Sequence, residues 1–189
     1  MKMLLRTCLS LSLLFTPLLT LAVTKVAGTE LADSYRLADS ELVLNGAGVR
    51  SKFFFKIYVG ALYTGKRSSD AGELLAAEGP KSMQMTMLYE KVSAEKITKG
   101  WHEGFEANLD DAAFKQVEER LKTFNSLFPD LHEGDVVRMD YIPGSGTRLS
   151  INDKQLGTIP GADFFKALLK VWIGKHPADD DLKEGLLGD

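Results

Sequence analysis

Ser51-Lys52-Phe53-Phe54-Phe55-Lys56-Ile57-Tyr58-Val59-Gly60-Ala61-Leu62-Tyr63 is the strongest strand signal in the chain. Its β-branched and aromatic residues favour extended backbone, and successive side chains in a strand point to opposite faces. Phe53, Phe55, Ile57, Val59, Ala61 and Tyr63 therefore share one face. Phe54, Lys56, Tyr58, Gly60 and Leu62 share the other. The first face is uniformly apolar and is expected to face the core. The second mixes aromatic, charged and small residues, so it is either solvated or lines a cavity.

Other elements follow on both sides. Glu41–Leu44 is a short strand candidate that Asn45-Gly46 would close as a turn. Ser82–Tyr89 alternates Met83, Met85 and Met87 against Gln84, Thr86 and Leu88, with the Met stripe expected in the core. The period then changes. Ser93 can cap a helix carrying Ile97, Trp101 and Phe105, with Trp101 expected in the core. Asp110 or Asp111 can cap a second, with Phe114, Val117, Leu121 and Phe124 on one side, closed before Phe128-Pro129. Asp135–Ile142, Thr147–Ile151 and Gln155–Ile159 read as a meander with turns at Pro143–Gly146 and Asn152–Lys154. A third helix runs from about Asp163 to Ile173, stopped by Gly174 and followed by Pro177. A short last helix covers Asp179–Leu187. Strands, two helices, a meander and more helices make an α+β protein with a mainly antiparallel sheet and helices on one side.

The chain has 189 residues, net charge −3, and interspersed charges. That is one domain's worth of core, and it offers no basic surface for nucleic acid. Lys2 and Arg6 precede an apolar stretch from Leu9 to Leu21 that ends at Thr20-Leu21-Ala22. This predicts a signal peptide over residues 1–22, one domain over 23–189, and an exported, periplasmic protein. The stretch is short for a membrane span and Pro17 interrupts it. The single cysteine, Cys8, lies in the segment expected to be removed, so no disulfide is expected.

Several motifs fail on inspection. Gly60–Arg67 approaches a phosphate-binding loop, but Arg67 stands where a magnesium-binding Ser or Thr is needed, and the glycines sit within a strand pattern. Gly46-Ala47-Gly48 has Ser51 where a dinucleotide fingerprint needs its third glycine. His102, His132 and His176 have no ligand partner at metal spacing. No metal and no cofactor are expected, and no Gly-x-Ser-x-Gly elbow supports a hydrolase.

Leu44-Asn45-Gly46-Ala47-Gly48-Val49-Arg50, closely followed by Phe54–Tyr63, resembles the opening of the chalcone isomerase superfamily. More narrowly, it is similar to the exported bacterial chalcone-isomerase-like branch. Lys91-Val92-Ser93 leading to Trp101, and Phe164–Gly174 followed by Pro177 and Leu182-Lys183, extend the resemblance over nearly all of the mature chain. It implies an open-faced β-sandwich: a large antiparallel sheet covered by a helical layer, with a ligand cleft between them. The superfamily includes true isomerases that cyclise chalcones, fatty-acid-binding relatives and non-catalytic helpers.

The resemblance also implies site positions. Arg50 matches the family arginine that holds an oxyanion. Tyr58 stands at the position of a Thr, and Leu88 at that of a Tyr, with Tyr89 one place later. Glu95 takes the place of an Asn, and a small polar position in the late helix falls at Phe164 or Phe165. Arg50 and Tyr58 are thus the candidate catalytic residues. Arg50, Tyr58, Tyr89 and Glu95 are the candidate ligand-binding residues. The departures favour non-catalytic binding of an apolar, fatty-acid-like anion, anchored by Arg50. The alternatives are an isomerase or intramolecular lyase on an enone-like substrate, and a structural or partner-binding envelope protein. The partners expected are a small apolar anionic ligand and, at the periphery, a membrane or the envelope.

Overall fold

The computed structural model describes residues 23–188; the segment expected to be a signal peptide, with Cys8, lies outside them. Four strands open the described chain: β1 (Val23–Val26), β2 (Thr29–Ala32), β3 (Ser34–Leu37) and β4 (Ser40–Lys52). They are followed by β5 (Phe55–Thr64), α1 (Ala71–Ala76), β6 (Lys81–Met87), β7 (Lys91–Val92), α2 (Ala94–Asn108) and α3 (Asp111–Asn125). The chain closes with β8 (Leu131–His132), β9 (Val136–Ile142), β10 (Gly146–Ile151), β11 (Lys154–Ile159), α4 (Ala162–Ile173) and α5 (Asp180–Leu187). The main sheet has seven strands in the order β11-β10-β9-β6-β5-β4-β3, all antiparallel. This is the α+β architecture expected, with helices layered on a large antiparallel sheet.

Helix starts fall where local chemistry puts them. The side chains of Ser93, Asp110 and Asp179 accept backbone N–H groups at the first turns of α2, α3 and α5. Ile97, Trp101 and Phe105 of α2 are buried, as are Val117, Leu121 and Phe124 of α3. They meet α4, whose Phe164, Leu168 and Trp172 are almost fully buried. The Met83-Met85-Met87 stripe lies beneath them in the same core.

Two expectations need correction. Asn45-Gly46 does not end a strand; β4 runs through it to Lys52, with a bulge between Leu44 and Gly46. The Asn45 side chain is captured instead: its amide donates to the carbonyls of Leu186 (2.7 Å) and Ser68 (3.1 Å), and its Oδ1 accepts from the Ser68 N–H. A bulge absorbs the extra residue, so the strand kinks where a turn was expected.

The second correction concerns the faces of β5. Alternation holds from Tyr58 to Tyr63, but the face with Tyr58 and Leu62 is the one that meets the helices, and Ile57 near the start of the strand packs toward that cluster too. Val59, Ala61 and Tyr63 pack in a smaller cluster on the opposite face with Leu31, Leu37, Leu42 and Leu44. Parity groups side chains by face without saying which face a helical layer covers. The mixed appearance has local reasons. Gly60 admits Leu182 of α5, whose Cδ1 would lie 3.0 Å from an added Cβ. Lys56 lies at the exposed start of the strand. Phe53 and Phe54 form the β4–β5 turn, and Phe53 and Phe55, expected in the core, are 86% and 57% exposed.

The contact of α5 with β4 is close enough to exclude a methyl group. A Cβ on Gly46 would lie 2.3 Å from the carbonyl oxygen of Gly185 and 2.7 Å from that of Leu186. Gly46→Ala is therefore expected to lower unfolding stability by roughly 1–3 kcal/mol in urea titrations, the usual cost of overpacking. Gly79→Ala, with nothing within 4 Å of the added carbon, is the control. Equal midpoints for the two variants would show that α5 does not bind β4 this tightly.

Candidate functional site

A cleft of about 590 Å³ opens between the β4–β5 hairpin and α2. The strand register builds its floor. Arg50 of β4 pairs with Tyr58 of β5, and Tyr58 pairs with Met87 of β6. Directly paired residues point to the same side of an antiparallel sheet. The three therefore form one row on the helix-covered face. Ile57, Val92, Ile97, Trp101 and Val171 add apolar walls.

Tyr58 is almost fully buried, and its hydroxyl accepts a hydrogen bond from the indole N–H of Trp172 at 2.9 Å. Trp172 in turn meets Trp101 edge-on, with ring centroids 5.3 Å apart. The guanidinium carbon of Arg50 lies 5.8 Å from the centroid of the Tyr58 ring, within the range of a cation–π contact. Burial pushes the Tyr58 phenol above its ordinary pKa, and the nearby Arg50 charge and the Trp172 hydrogen bond only partly oppose this. Tyr58 is thus a neutral phenol at physiological pH.

Two groups in this cleft are left without partners. Arg50 Nε and Trp101 Nε1 are buried and make no hydrogen bond. Arg120, Arg138 and Arg148 each pair with an aspartate, whereas among the described residues Arg50 pairs with no carboxylate. Buried polar groups are nearly always satisfied, so such groups need a reason. Both are donors with no acceptor function. What would satisfy them is an acceptor, and for Arg50 an anionic one.

The charges along the cleft agree. Arg50, Lys52, Lys91, Lys96 and Lys99 line it against a single carboxylate, Glu103. Lys99 lies 3.7 Å from Glu103, and Lys91 pairs with Asp130 at 2.7 Å. A cationic cleft on a chain of net charge −3 draws anions toward it.

The structure brings together three of the four residues expected to touch a ligand. Arg50, Tyr58 and Tyr89 line the cleft. Leu88 and Tyr89 point to opposite sides, and it is Tyr89, not Leu88, that reaches the cleft. Leu88 packs against the outer cluster, while Tyr89 stacks edge-on against Phe55 with centroids 5.6 Å apart. The N–H groups of Leu88 and Tyr89 both donate to the Ile57 carbonyl, so the pairing register breaks there. Glu95 is exposed on the first turn of α2 and is not among the lining residues. Phe164 and Phe165 are buried in α4. Sequence reasoning took Trp101 for core packing alone and passed over Lys96 and Lys99. Their i, i+3 spacing on α2, with Lys96 four residues ahead of Gly100, was the available signal.

A second hollow of about 380 Å³ lies beside Lys81, Tyr141 and Phe165. Lys81 donates there to the carbonyls of Ala77 and Gly79. Its charge is already engaged, so the hollow lacks the unpartnered donors of the main cleft.

Residues 23–188 match the family described as chalcone isomerase-like. The chain belongs to that family. No curated protein matches its sequence. Among solved structures it is similar to the fatty-acid binding protein of Arabidopsis thaliana, with a TM-score of 0.68 and 16% identity over 89% of this chain and 96% of that one. At that identity the likeness concerns the fold. In this chalcone isomerase-like chain, Arg50 carries a buried donor without a partner.

The raised phenols have a measurable consequence. Tyr58 is raised mainly by desolvation, and Tyr63, on the opposite face, is raised to about 12 by desolvation and the Asp33 charge. The unfolded value is 10.0. A raised folded pKa contributes stability that is fully present below the unfolded value and is lost as pH climbs through the folded one. Urea midpoints are expected to fall between about pH 10 and 12. Tyr58→Phe and Tyr63→Phe should each flatten that fall, and parallel pH curves for parent and variants would contradict the assignment.

Proposed function

We propose that the protein is a non-catalytic binder of an apolar anion of the fatty-acid type, held in the cleft between the β4–β5 hairpin and α2. The observation that carries this reading is the pair of buried donors, Arg50 Nε and Trp101 Nε1, left unsatisfied in a largely apolar cleft. A carboxylate supplies two oxygens and a charge, and an alkyl chain suits the walls of Ile57, Ile97 and Val171. The cleft volume lies within the usual range for small-molecule sites. The structural likeness to a fatty-acid binding protein supports the same class of ligand.

The state of Tyr58 favours binding over turnover. A general acid or base works best with a pKa near the working pH. Burial moves the Tyr58 phenol away from that range. It keeps its proton available to donate to a bound oxygen, since its hydroxyl otherwise only accepts from Trp172.

The test is a thermodynamic cycle with a long-chain fatty acid and its methyl ester, read by calorimetry. Removing a charged hydrogen bond costs about 1.5–3 kcal/mol, so Arg50→Ala should weaken binding of the acid roughly 10- to 150-fold. The ester should bind the parent more weakly than the acid, and Arg50→Ala should leave the ester almost unaffected. Equal losses for acid and ester would remove Arg50 as the anion anchor. Absence of binding by either would remove the proposal.

We also infer export, with residues 1–22 as a leader. The family match begins at residue 23, where the leader would end. N-terminal sequencing of protein from the cell envelope is expected to begin at Val23. A chain beginning at Met1 would sink the cleaved-leader reading.

A further inference from the structure

Most of the large apolar side chains that this protein exposes gather in one place. Among the described residues these are Val23, Phe53, Phe54, Phe55 and Tyr89; Phe53, Phe55 and Tyr89 line the cleft, and Phe54 lies between Phe53 and Phe55 at the hairpin turn. Phe54 is 100% exposed at the tip of the β4–β5 hairpin. Phe53 beside it has φ 56°, in the left-handed region where glycine is favoured and a bulky residue is strained. A turn that holds an aromatic side chain in water, at a backbone angle suited to glycine, is poorly explained by folding alone.

The charges around the tip define what would cover it. Lys52 and Lys56 flank the three phenylalanines and are exposed. Lys91, Lys96 and Lys99 continue the cationic rim along the cleft. Glu103 and Asp130 each pair with one of these lysines, while Glu90 and Glu95 are exposed neighbours in sequence that do not line the cleft. Aromatic residues at a tip with lysines around them match the interface of an anionic bilayer, apolar below and negatively charged at the headgroups. A second copy of the chain fits poorly. A two-fold contact through this tip would set the same lysines against each other.

We propose that the β4–β5 hairpin is a membrane-docking element that inserts Phe53 and Phe54 into an anionic phospholipid surface and sets the mouth of the cleft against it. No described helix is long and apolar enough to cross a membrane, so the contact is one of lying on the surface. Docking goes beyond the ligand reading and does not depend on it. If that reading also holds, the cleft opens where an amphiphilic anion resides.

The test places a reporter at the tip of the full chain. Phe54→Trp changes a side chain that touches nothing needed for folding, and Trp101 and Trp172 are buried enough to give a steady background. Vesicles of phosphatidylcholine and phosphatidylglycerol in equal parts, with brominated acyl chains, are expected to quench and blue-shift the added emission. Adding Lys52→Glu and Lys56→Glu should weaken vesicle binding at least several-fold. So should about 1 M salt, where the Debye length shrinks to about 3 Å.

Quenching that is equal with neutral phosphatidylcholine vesicles would overturn the anionic-surface proposal. So would added emission that stays unquenched with every vesicle, including the case of a chain attached to them by another segment. A blue shift that appears without lipid and rises with protein concentration, with a dimer in native mass spectrometry, would assign the tip to a second copy and overturn the proposal. A tip that stays unquenched by lipid but binds a protein would do the same. Fatty-acid binding measured in vesicle-free solution is a separate readout, so failure of docking and failure of the ligand reading remain distinguishable.

Discussion

The hydrogen bond from Trp172 to Tyr58 joins the two layers inside the core. Tyr58 sits on an interior strand of the sheet, paired on one side with Arg50 and on the other with Met87. Trp172 sits in the helix that α2, α1 and α5 all contact. Each of the two polar groups would be costly to bury alone. Together they fix the rotation of α4 over the sheet and hold the Tyr58 ring beneath Arg50. The floor of the cleft therefore follows from a structural bond, and Tyr58 serves the core as well as the cleft.

That arrangement separates two kinds of polar group. Several that hold the fold have found partners: Asn45 binds the last helix, Asn108 binds the His176 backbone, and one oxygen of Asp140 accepts from Tyr35 and Arg148. Arg138 Nε and Asp140 Oδ1 are buried without partners within charged pairs that are otherwise made. In the cleft, by contrast, Arg50 Nε and Trp101 Nε1 have no partner, and among the described residues no carboxylate pairs with the Arg50 charge. An unmet donor in an apolar surrounding costs stability that a bound acceptor returns. On the binding reading, the protein carries this cost in the free state and recovers it with ligand. The coupling would make the bound form the more stable one.

Much of the architecture was legible because it depends on local periodicity. Ile97, Trp101 and Phe105 announce α2, and the Pro143–Gly146 turn separates β9 from β10. The faces of β5 were not legible, because parity is blind to which side the helices take. The continuation of β4 through Asn45-Gly46 was hidden for a different reason. Those residues read as a turn until the last helix arrives to take the Asn45 amide, about 140 residues later in the sequence. The site was read in part. The family pattern pointed to Arg50 and Tyr58, and a row of paired strands brings them together. Glu95 lay next to the right segment but turned outward, since its place on α2 is set by Ile97 and Trp101 packing inward. The exposed state of Phe53–Phe55 was the least legible feature. Phe53 and Phe55 read as core because they share parity with Val59, Ala61 and Tyr63, and only the hairpin geometry puts them in water.

The same hairpin explains why cleft and tip belong together. Arg50 and Tyr58 face each other a few residues below the Phe53-Phe54 turn, on the two strands that the turn connects. A bulge between Arg50 and Ser51 lies between the row and the tip, and bulges increase local twist and re-aim the strand beyond them. Lys52, Phe53 and Phe55 thus come to line the outer end of the cleft that Arg50 and Tyr58 close at its floor. Polarity runs along one ribbon, from a half-buried cation beside a neutral phenol to exposed aromatic rings bounded by lysines. An amphiphile held with its head at Arg50 would have its tail among the aromatic side chains of the mouth. One that entered head first from a charged interface would pass the lysines before reaching the only one of these cations with a buried, unpartnered N–H. The order of groups along the hairpin is therefore the order in which such a ligand would meet them.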